Sequence, residues 1–260
     1  MIDAPLETMS EAAPRPGAPV TAGQELRYVS NADESCRMFA SDFRERFSHI
    51  KPWVPHVIFV PIFAVSLAAA VRTDAPARAA AFYVVGLFLW TFAEYAIHRG
   101  IFHTTQFIEN DTRRIVASLG RDQPVVPNLP TPRHKFYFVA HGVHHDYPND
   151  STRLVLAPSV SIPLAAFFYG AFRLLFGTAT PAAFAGLISG YLVYDTLHYA
   201  CHHSSGRSPF LRSLKRRHLR HHYADSTRDF GVSSPLWDYI IGTSGSAQTA
   251  RRRQDSVSEA

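Results

Sequence analysis

The sequence predicts an all-α integral membrane protein with four transmembrane helices arranged as two hairpins. Four apolar stretches, at roughly 53–71, 79–97, 155–176 and 181–199, each approach the ~20 residues that a helix needs to cross ~30 Å of hydrocarbon. The links within each pair are short, at 72–78 and 177–180. Of the 26 lysines and arginines, all but Arg72, Arg78 and Arg173 fall in 1–52, 98–153 and 200–260. The positive-inside rule therefore sets both termini and the middle loop in the cytosol.

Taken in order, residues 1–30 are rich in Pro, Ala, Glu and Ser without a hydrophobic period, and a disordered arm is expected there. Nothing in them resembles a secretory signal. Across 31–52, Phe39, Phe43, Phe47 and Ile50 recur at spacings of four, four and three between charged residues, which predicts an amphipathic helix lying in the membrane interface. The membrane domain proper spans 53–242. Its first span contains Pro55, His56 and Pro61, and its second carries a single carboxylate, Glu94. Between the hairpins, 108–135 with Pro124, Pro127, Pro130 and Pro132 reads as an irregular surface loop. The fourth span opens with Thr180 and Pro181 and spaces Gly186 and Gly190 for close helix packing. A polar, basic tail with Arg251, Arg252 and Arg253 fills 243–260 and is expected to be disordered.

Composition narrows the function class. The 260 residues are 18% charged, below the roughly 25% of soluble domains. Two cysteines, Cys36 and Cys201, exclude a disulfide framework and a thiolate metal site. The net charge of +5 could suit nucleic acid, but no stretch interleaves arginines with aromatics as a binding surface would, so no nucleic-acid partner is expected. Only Lys51, Lys135 and Lys215 are lysines. That arginine bias, with abundant alanine, points to a GC-rich bacterial genome and the inner membrane, or to the endoplasmic reticulum in a eukaryote.

The outlying feature is histidine, of which there are fourteen. Ten fall into four groups: His98 and His103; His141, His144 and His145; His198 and His202; His218, His221 and His222. All four lie on the side that the basic residues mark as cytosolic. On a helix, positions i, i+3 and i+4 span about 100°, so each HxxHH is expected to present three imidazoles in one direction. The five-residue step from His98 to His103 converges only if the helix is broken, and Gly100 stands where a break is needed. Ten imidazoles exceed one octahedral ion but suit two ions, so a dinuclear site is the economical reading. Imidazole suits iron, zinc and copper alike. His49, His56 and His134 stand alone and are expected to be structural or interfacial. Glu94 and Asp195 precede His98 and His198 on the same helical faces and are expected to orient imidazole N–H groups.

The text EYAIHRGIFH (94–103), HGVHHDYPNDSTRLVLAP (141–158), GYLVYDTLHYACH (190–202), LKRRHLRHHY (214–223) and FGVSSPLWDYIIGT (230–243) resembles the fatty acid hydroxylase and sterol desaturase superfamily, above all its fatty acid 2-hydroxylase branch. The resemblance implies four membrane helices under a cytosolic helical cap that holds two metals. It also sets His203 aside, because the position need not be histidine in that branch. Relatives with a fused cytochrome b5 domain carry an HPGG motif that is absent from residues 1–52. A separate electron donor, cytochrome b5-like or ferredoxin-like, is therefore expected.

These readings converge on a membrane monooxygenase that hydroxylates a lipid acyl chain, at C2 because that carbon lies near the interface. Zinc has no accessible redox change, so two iron ions are the expected metal, with O2 and external electrons, although zinc can fill imidazole sites in purified protein. Two alternatives stand beside this reading: a sterol or carotenoid oxidase of the same superfamily, and a metal-binding membrane protein without redox chemistry.

Overall fold

The computed structural model describes residues 26–103, 105–120 and 122–245, and these are helical with no strand among them. Among the described residues, three apolar stretches are long enough to cross a membrane: Val54–Thr73, Pro76–Phe102 and Pro158–His203. The first is helix α2, after a five-residue α1 (Asp42–Arg46). The second is α3 (Pro76–Ile97), which runs into a π-helical turn, His98–Phe102. The third contains α8 (Pro158–Phe176) and α9 (Thr180–His203), separated by a 3-10 turn at Gly177–Ala179. Gly177 takes φ +56° there, a conformation open to glycine at little cost.

Helix α9 packs along both α3 and α2. Its apolar contacts, Phe59 with Tyr191, Trp90 with Tyr191 and Tyr169 with Phe184, centre on one core. Glycine sets the approach of α3 to α9. A Cβ on Gly186 would lie 2.0 Å from the Tyr83 carbonyl oxygen, and one on Gly86 would lie 1.8 Å from that of Ala183. The close packing expected of Gly186 is thus made against backbone, while Gly190 receives the Trp90 ring.

A second core lies in the cap and joins Leu26, Val29, Cys36, Met38, Val116, Val125, Phe138 and Val143. It corrects three expectations. The arm does not extend to residue 30, because Leu26, Tyr28, Val29 and Ser30 are buried and the Val29 and Ser30 amides donate to the Asp146 carbonyl. Residues 31–52 are not one amphipathic helix. Arg37 and Met38 run past Val125 and Val126 with two backbone hydrogen bonds, and the Glu45 carboxylate takes the Met38 and Phe39 amides, so helix is confined to Asp42–Arg46. The stretch 108–135 is not an irregular loop either. It holds most of α4 (Gln106–Ser118), then α5 (Val125–Asn128) and the first residues of α6 (Pro132–Tyr137). Ile108, Thr112 and Val116 recur at four-residue spacing on the buried face of α4, a period that the flanking prolines obscure in the sequence. The ends 1–25 and 246–260, with Arg251, Arg252 and Arg253, lie outside the described residues.

Arg153 ties the stretch before α8 to residues 36–48. Its guanidinium donates to the Cys36 carbonyl, the Glu45 carboxylate and the Ser48 hydroxyl at 2.8, 2.6 and 2.9 Å. The Asp150 carboxylate accepts the Thr152 amide and hydroxyl in the preceding turn. The Asp and Arg of the text that follows HGVHH are therefore structural.

Gly186→Ala should force α3 and α9 apart and lower stability by roughly 1–3 kcal/mol, the usual range for overpacking. The thermal midpoint in detergent reads this, with Gly170→Ala as reference, since a Cβ there meets nothing within 4 Å. Equal midpoints would contradict the close approach.

Candidate metal centre

Ten imidazoles meet where the C-terminal ends of α3 and α9 join the cap. His98 follows α3 and His103 follows the π turn. His141 lies in a second π turn, Phe138–Gly142, and His144 and His145 lie in the α7 turn, Val143–Asp146. His198 and His202 belong to α9, and His218, His221 and His222 to α10 (Pro209–Tyr223). Helix α10 is started by Pro209 and by the Ser208 hydroxyl, which accepts the Leu211 amide at 3.1 Å.

No break at Gly100 brings His98 and His103 together. Gly100 has ordinary backbone angles and open space around it. The His103 amide instead donates to the His98 carbonyl at 3.1 Å, closing an i to i+5 turn. The added residue per turn returns His103 to the side of the helix that His98 occupies.

The imidazoles sort into two groups of five. His98, His103, His141, His145 and His221 form the first, and His144, His198, His202, His218 and His222 the second, with the five nitrogens of each group within 4.8 Å of one another. The HxxHH motifs are therefore divided rather than presented in one direction. Each gives its i, i+4 pair to one group and its middle histidine to the other: His144 leaves His141 and His145, and His221 leaves His218 and His222. The groups are adjacent, with the His145 and His222 rings stacked at 4.2 Å.

Within each group the Nε2 atoms face one another. In the first, His98–His141, His145–His141 and His221–His103 are 3.1, 3.0 and 3.1 Å apart. In the second, His198–His144, His202–His218 and His222–His218 are 2.9, 2.8 and 3.1 Å apart. A metal with nitrogen ligands at ~2.1 Å sets adjacent ligands ~3 Å and opposite ligands ~4 Å apart, so both groups fit one ion each.

Hydrogen bonding decides what these contacts are. His98 Nδ1 donates to the Phe230 carbonyl at 2.5 Å, His221 Nδ1 to the Arg228 carbonyl at 2.7 Å, and His103 Nδ1 to the Glu109 carboxylate at 3.0 Å. The two carbonyls have no proton to give, and neither has Glu109 as a carboxylate, so Nδ1 carries it and Nε2 presents a lone pair. His221 and His103 then oppose two lone pairs, which is a pair of donors for a cation and not a hydrogen bond. Protonation is a poor alternative: burial holds His221 down to about 4 and His103 well below the usual histidine range.

Supporting groups complete the first group. Burial raises Glu109 to about 7, while the Ser226 hydroxyl donates to it at 3.0 Å. Arg113 donates to Asp146 at 2.8 Å, next to His145. Glu94 does not touch His98 as expected. Its carboxylate takes the Val232 and Ser233 amides at 2.6 and 2.8 Å and also bonds the Ser233 hydroxyl. It therefore fixes the loop whose Phe230 carbonyl orients His98. Asp195 does not meet its expected imidazole either: it is buried on α9, and neither carboxylate oxygen hydrogen-bonds His198. The Nδ1 atoms of His144, His145, His198, His202, His218 and His222 have no hydrogen-bond partner among the described residues.

The remaining histidines lie outside both groups. His203 is exposed with its ring stacked on Tyr199 at 4.5 Å. His49 contacts Thr152 and Arg153, His56 contacts Thr196, and His134 sits between Thr131 and Asp111. Sequence reasoning missed Glu109 and the carbonyls of Phe230 and Arg228. Glu109 had a signal, as a carboxylate on the apolar face of α4. The carbonyls had none, because every residue has one.

The fatty acid hydroxylase family model matches residues 83–243. Dihydroceramide fatty acyl 2-hydroxylase FAH1 of Arabidopsis thaliana is 30% identical over 226 residues, covering 85% of this chain and 85% of its own. Ceramide very long chain fatty acid hydroxylase SCS7 of Saccharomyces cerevisiae is 34% identical over 203 residues, 78% of this chain and 48% of the yeast protein. The rat fatty acid 2-hydroxylase is 31% identical over 218 residues, 83% of this chain and 47% of the relative. The chain thus spans about half the length of the last two. The solved structure described as full-length scs7p, with only its hydroxylase domain visible, superposes with a TM-score of 0.68 at 32% identity, over 81% of this chain and 73% of that one. The chain belongs to the fatty acid hydroxylase family. It is an integral membrane enzyme of the oxygen-dependent hydroxylase class.

Removing the acceptor of a ligand's second nitrogen typically weakens metal retention about 10–100-fold. Glu109→Ala should do so for one ion of the pair, read by chelator competition, while His134→Ala keeps the wild-type metal content. Loss of metal from His134→Ala would contradict the partition drawn here.

Proposed function

We propose that this chain is a non-haem di-iron monooxygenase that hydroxylates the acyl chain of a fatty acid or ceramide, at C2. The observation that carries it is the pair of adjacent five-imidazole groups, in a family whose relatives named above are fatty acyl and ceramide hydroxylases. The ten clustered histidines would hold the two ions through Nε2. When bound, the irons supply the electron transfer to O2 that C–H hydroxylation needs. The balance is R–H, O2, two electrons and two protons giving R–OH and water, so an external donor, cytochrome b5-like or ferredoxin-like, is part of the proposal.

The protein's own residues do three things in this scheme. The Phe230 and Arg228 carbonyls and Glu109 hold protons on Nδ1 and so keep Nε2 free. Buried rings exclude water, with Phe230 set against His98, His103 and His221 at 5.7, 5.7 and 5.6 Å. Arg113, bonded to Asp146, holds the turn that carries His144 and His145. The domain limits 53–242, four crossings in two hairpins and a cytosolic site belong to the same proposal, supported by the apolar lengths of α2, α3, α8 and α9 and by the distribution of arginines. A bacterial inner membrane is the proposed location.

Cells given this chain and a competent donor should gain acyl chains heavier by one oxygen, with fragmentation placing the hydroxyl at C2. Oxidised sterol or carotenoid with unaltered acyl chains would refute the substrate, and absence of donor-dependent O2 consumption would leave only metal binding. Cysteines placed at the exposed positions Ala75 and Thr178 should label from the side opposite the cytosol. Labelling of either from the cytosol would refute the four crossings.

A further inference from the structure

We propose that α11 (Leu236–Ile241) is a wedge seated in the bilayer, its outer face against acyl chains of the leaflet and its inner face holding the loop that orients His98. The segment follows the cap and is only six residues long, far short of a span. Its depth is nevertheless fixed by Trp237. The indole N–H donates to the Thr91 hydroxyl at 3.0 Å, and the ring meets Phe92 at 4.9 Å and Phe88 at 5.6 Å. These α3 residues precede His98 by six and ten positions, about 9 and 15 Å along a helix axis. Half of the hydrocarbon thickness is about 15 Å. α11 therefore lies beside the membrane-crossing part of α3 and not above it.

Its two faces differ. Outward, Leu236, Tyr239, Ile240 and Ile241 are exposed, Ile240 by 62%, and the Trp237 ring among them joins the exposed Phe88 and Phe92 of α3. A contiguous apolar surface of this kind marks an interaction site, and its continuity with the lipid-facing side of a spanning helix identifies the occupant as the bilayer. Inward, the polar groups are satisfied, as irregular backbone at membrane depth requires. The Asp238 carboxylate accepts the Phe230 and Gly231 amides at 3.0 and 2.9 Å, the Thr243 hydroxyl at 2.8 Å and the Arg217 guanidinium at 3.0 Å. The same Phe230 carries the carbonyl that orients His98. The contact with lipid is thereby linked to the first histidine group through one side chain, Asp238.

This inference rests on the membrane reading of the chain and not on its reaction, and one experiment separates the two. Ile240→Cys in the full chain is labelled with bimane; Cys36 and Cys201 are buried. The protein is placed in nanodiscs of phosphatidylcholine and phosphatidylglycerol, with or without doxyl-labelled acyl chains. The label should lose most of its emission to doxyl lipid and little to aqueous iodide. Strong iodide quenching would overturn the wedge, and shielding from both quenchers would mean that protein, such as a second copy, covers the face and would overturn it too. Leu174→Cys on α8, 89% exposed, serves as the reference. Lipid quenching at Leu174 alone rejects the wedge, whereas its absence at both positions rejects the membrane placement of the whole chain. Ile241→Cys carries the same test if Ile240→Cys does not accumulate.

Discussion

Two lone pairs facing each other in a buried space are the constraint around which this structure is arranged. His103 and His221 give their Nδ1 protons to Glu109 and to the Arg228 carbonyl, and their Nε2 atoms are left 3.1 Å apart. In water such a pair would take a proton or turn away. Here burial opposes the proton and packing opposes the turn, so the arrangement is favourable around a cation. The surrounding structure maintains the opposition: the π turn aligns His103 with His98, Glu94 and Asp238 fix the loop behind His98, and Arg113 with Asp146 anchors the turn behind His145.

Exchange of the middle histidines ties the two groups into one unit. Because His144 joins the group built on α9 and α10, while His221 joins the group built after α3, neither HxxHH segment can move without disturbing both. The 4.2 Å stack of His145 on His222 lies at the seam. In the proposed di-iron reading, this sharing would hold the two ions side by side, where each could supply one electron to the same O2. The histidines also join two cores of different kind, an apolar one among α2, α3, α8 and α9 and a cap core stapled by Arg153.

Much of this was legible in the sequence because the signals were local and chemically specific. Apolar length marked the helices at α2, α3, α8 and α9, and clustering picked out the same ten histidines that converge in space. What was not legible depended on tertiary context. An ideal-helix wheel cannot anticipate a π turn, so it assigned a break to Gly100 and one direction to each HxxHH. Proline density in 108–135 outweighed the four-residue period of Ile108, Thr112 and Val116, although Pro124 and Pro132 stand at the starts of α5 and α6. Glu94 was read by its spacing to His98, but it reaches a loop more than 130 residues away in sequence, which no local pattern encodes.

The claim that everything else rests on is that ten imidazoles divide into two five-membered metal sites. Elemental analysis of the freshly purified chain, and of His221→Ala and His144→Ala beside it, tests that claim most directly. The account predicts a saturating content near two ions per chain, with each variant losing metal even though its own HxxHH segment retains an intact i, i+4 pair. A wild-type value that saturates near one ion, or variants that hold two ions as tightly as the parent, would contradict it.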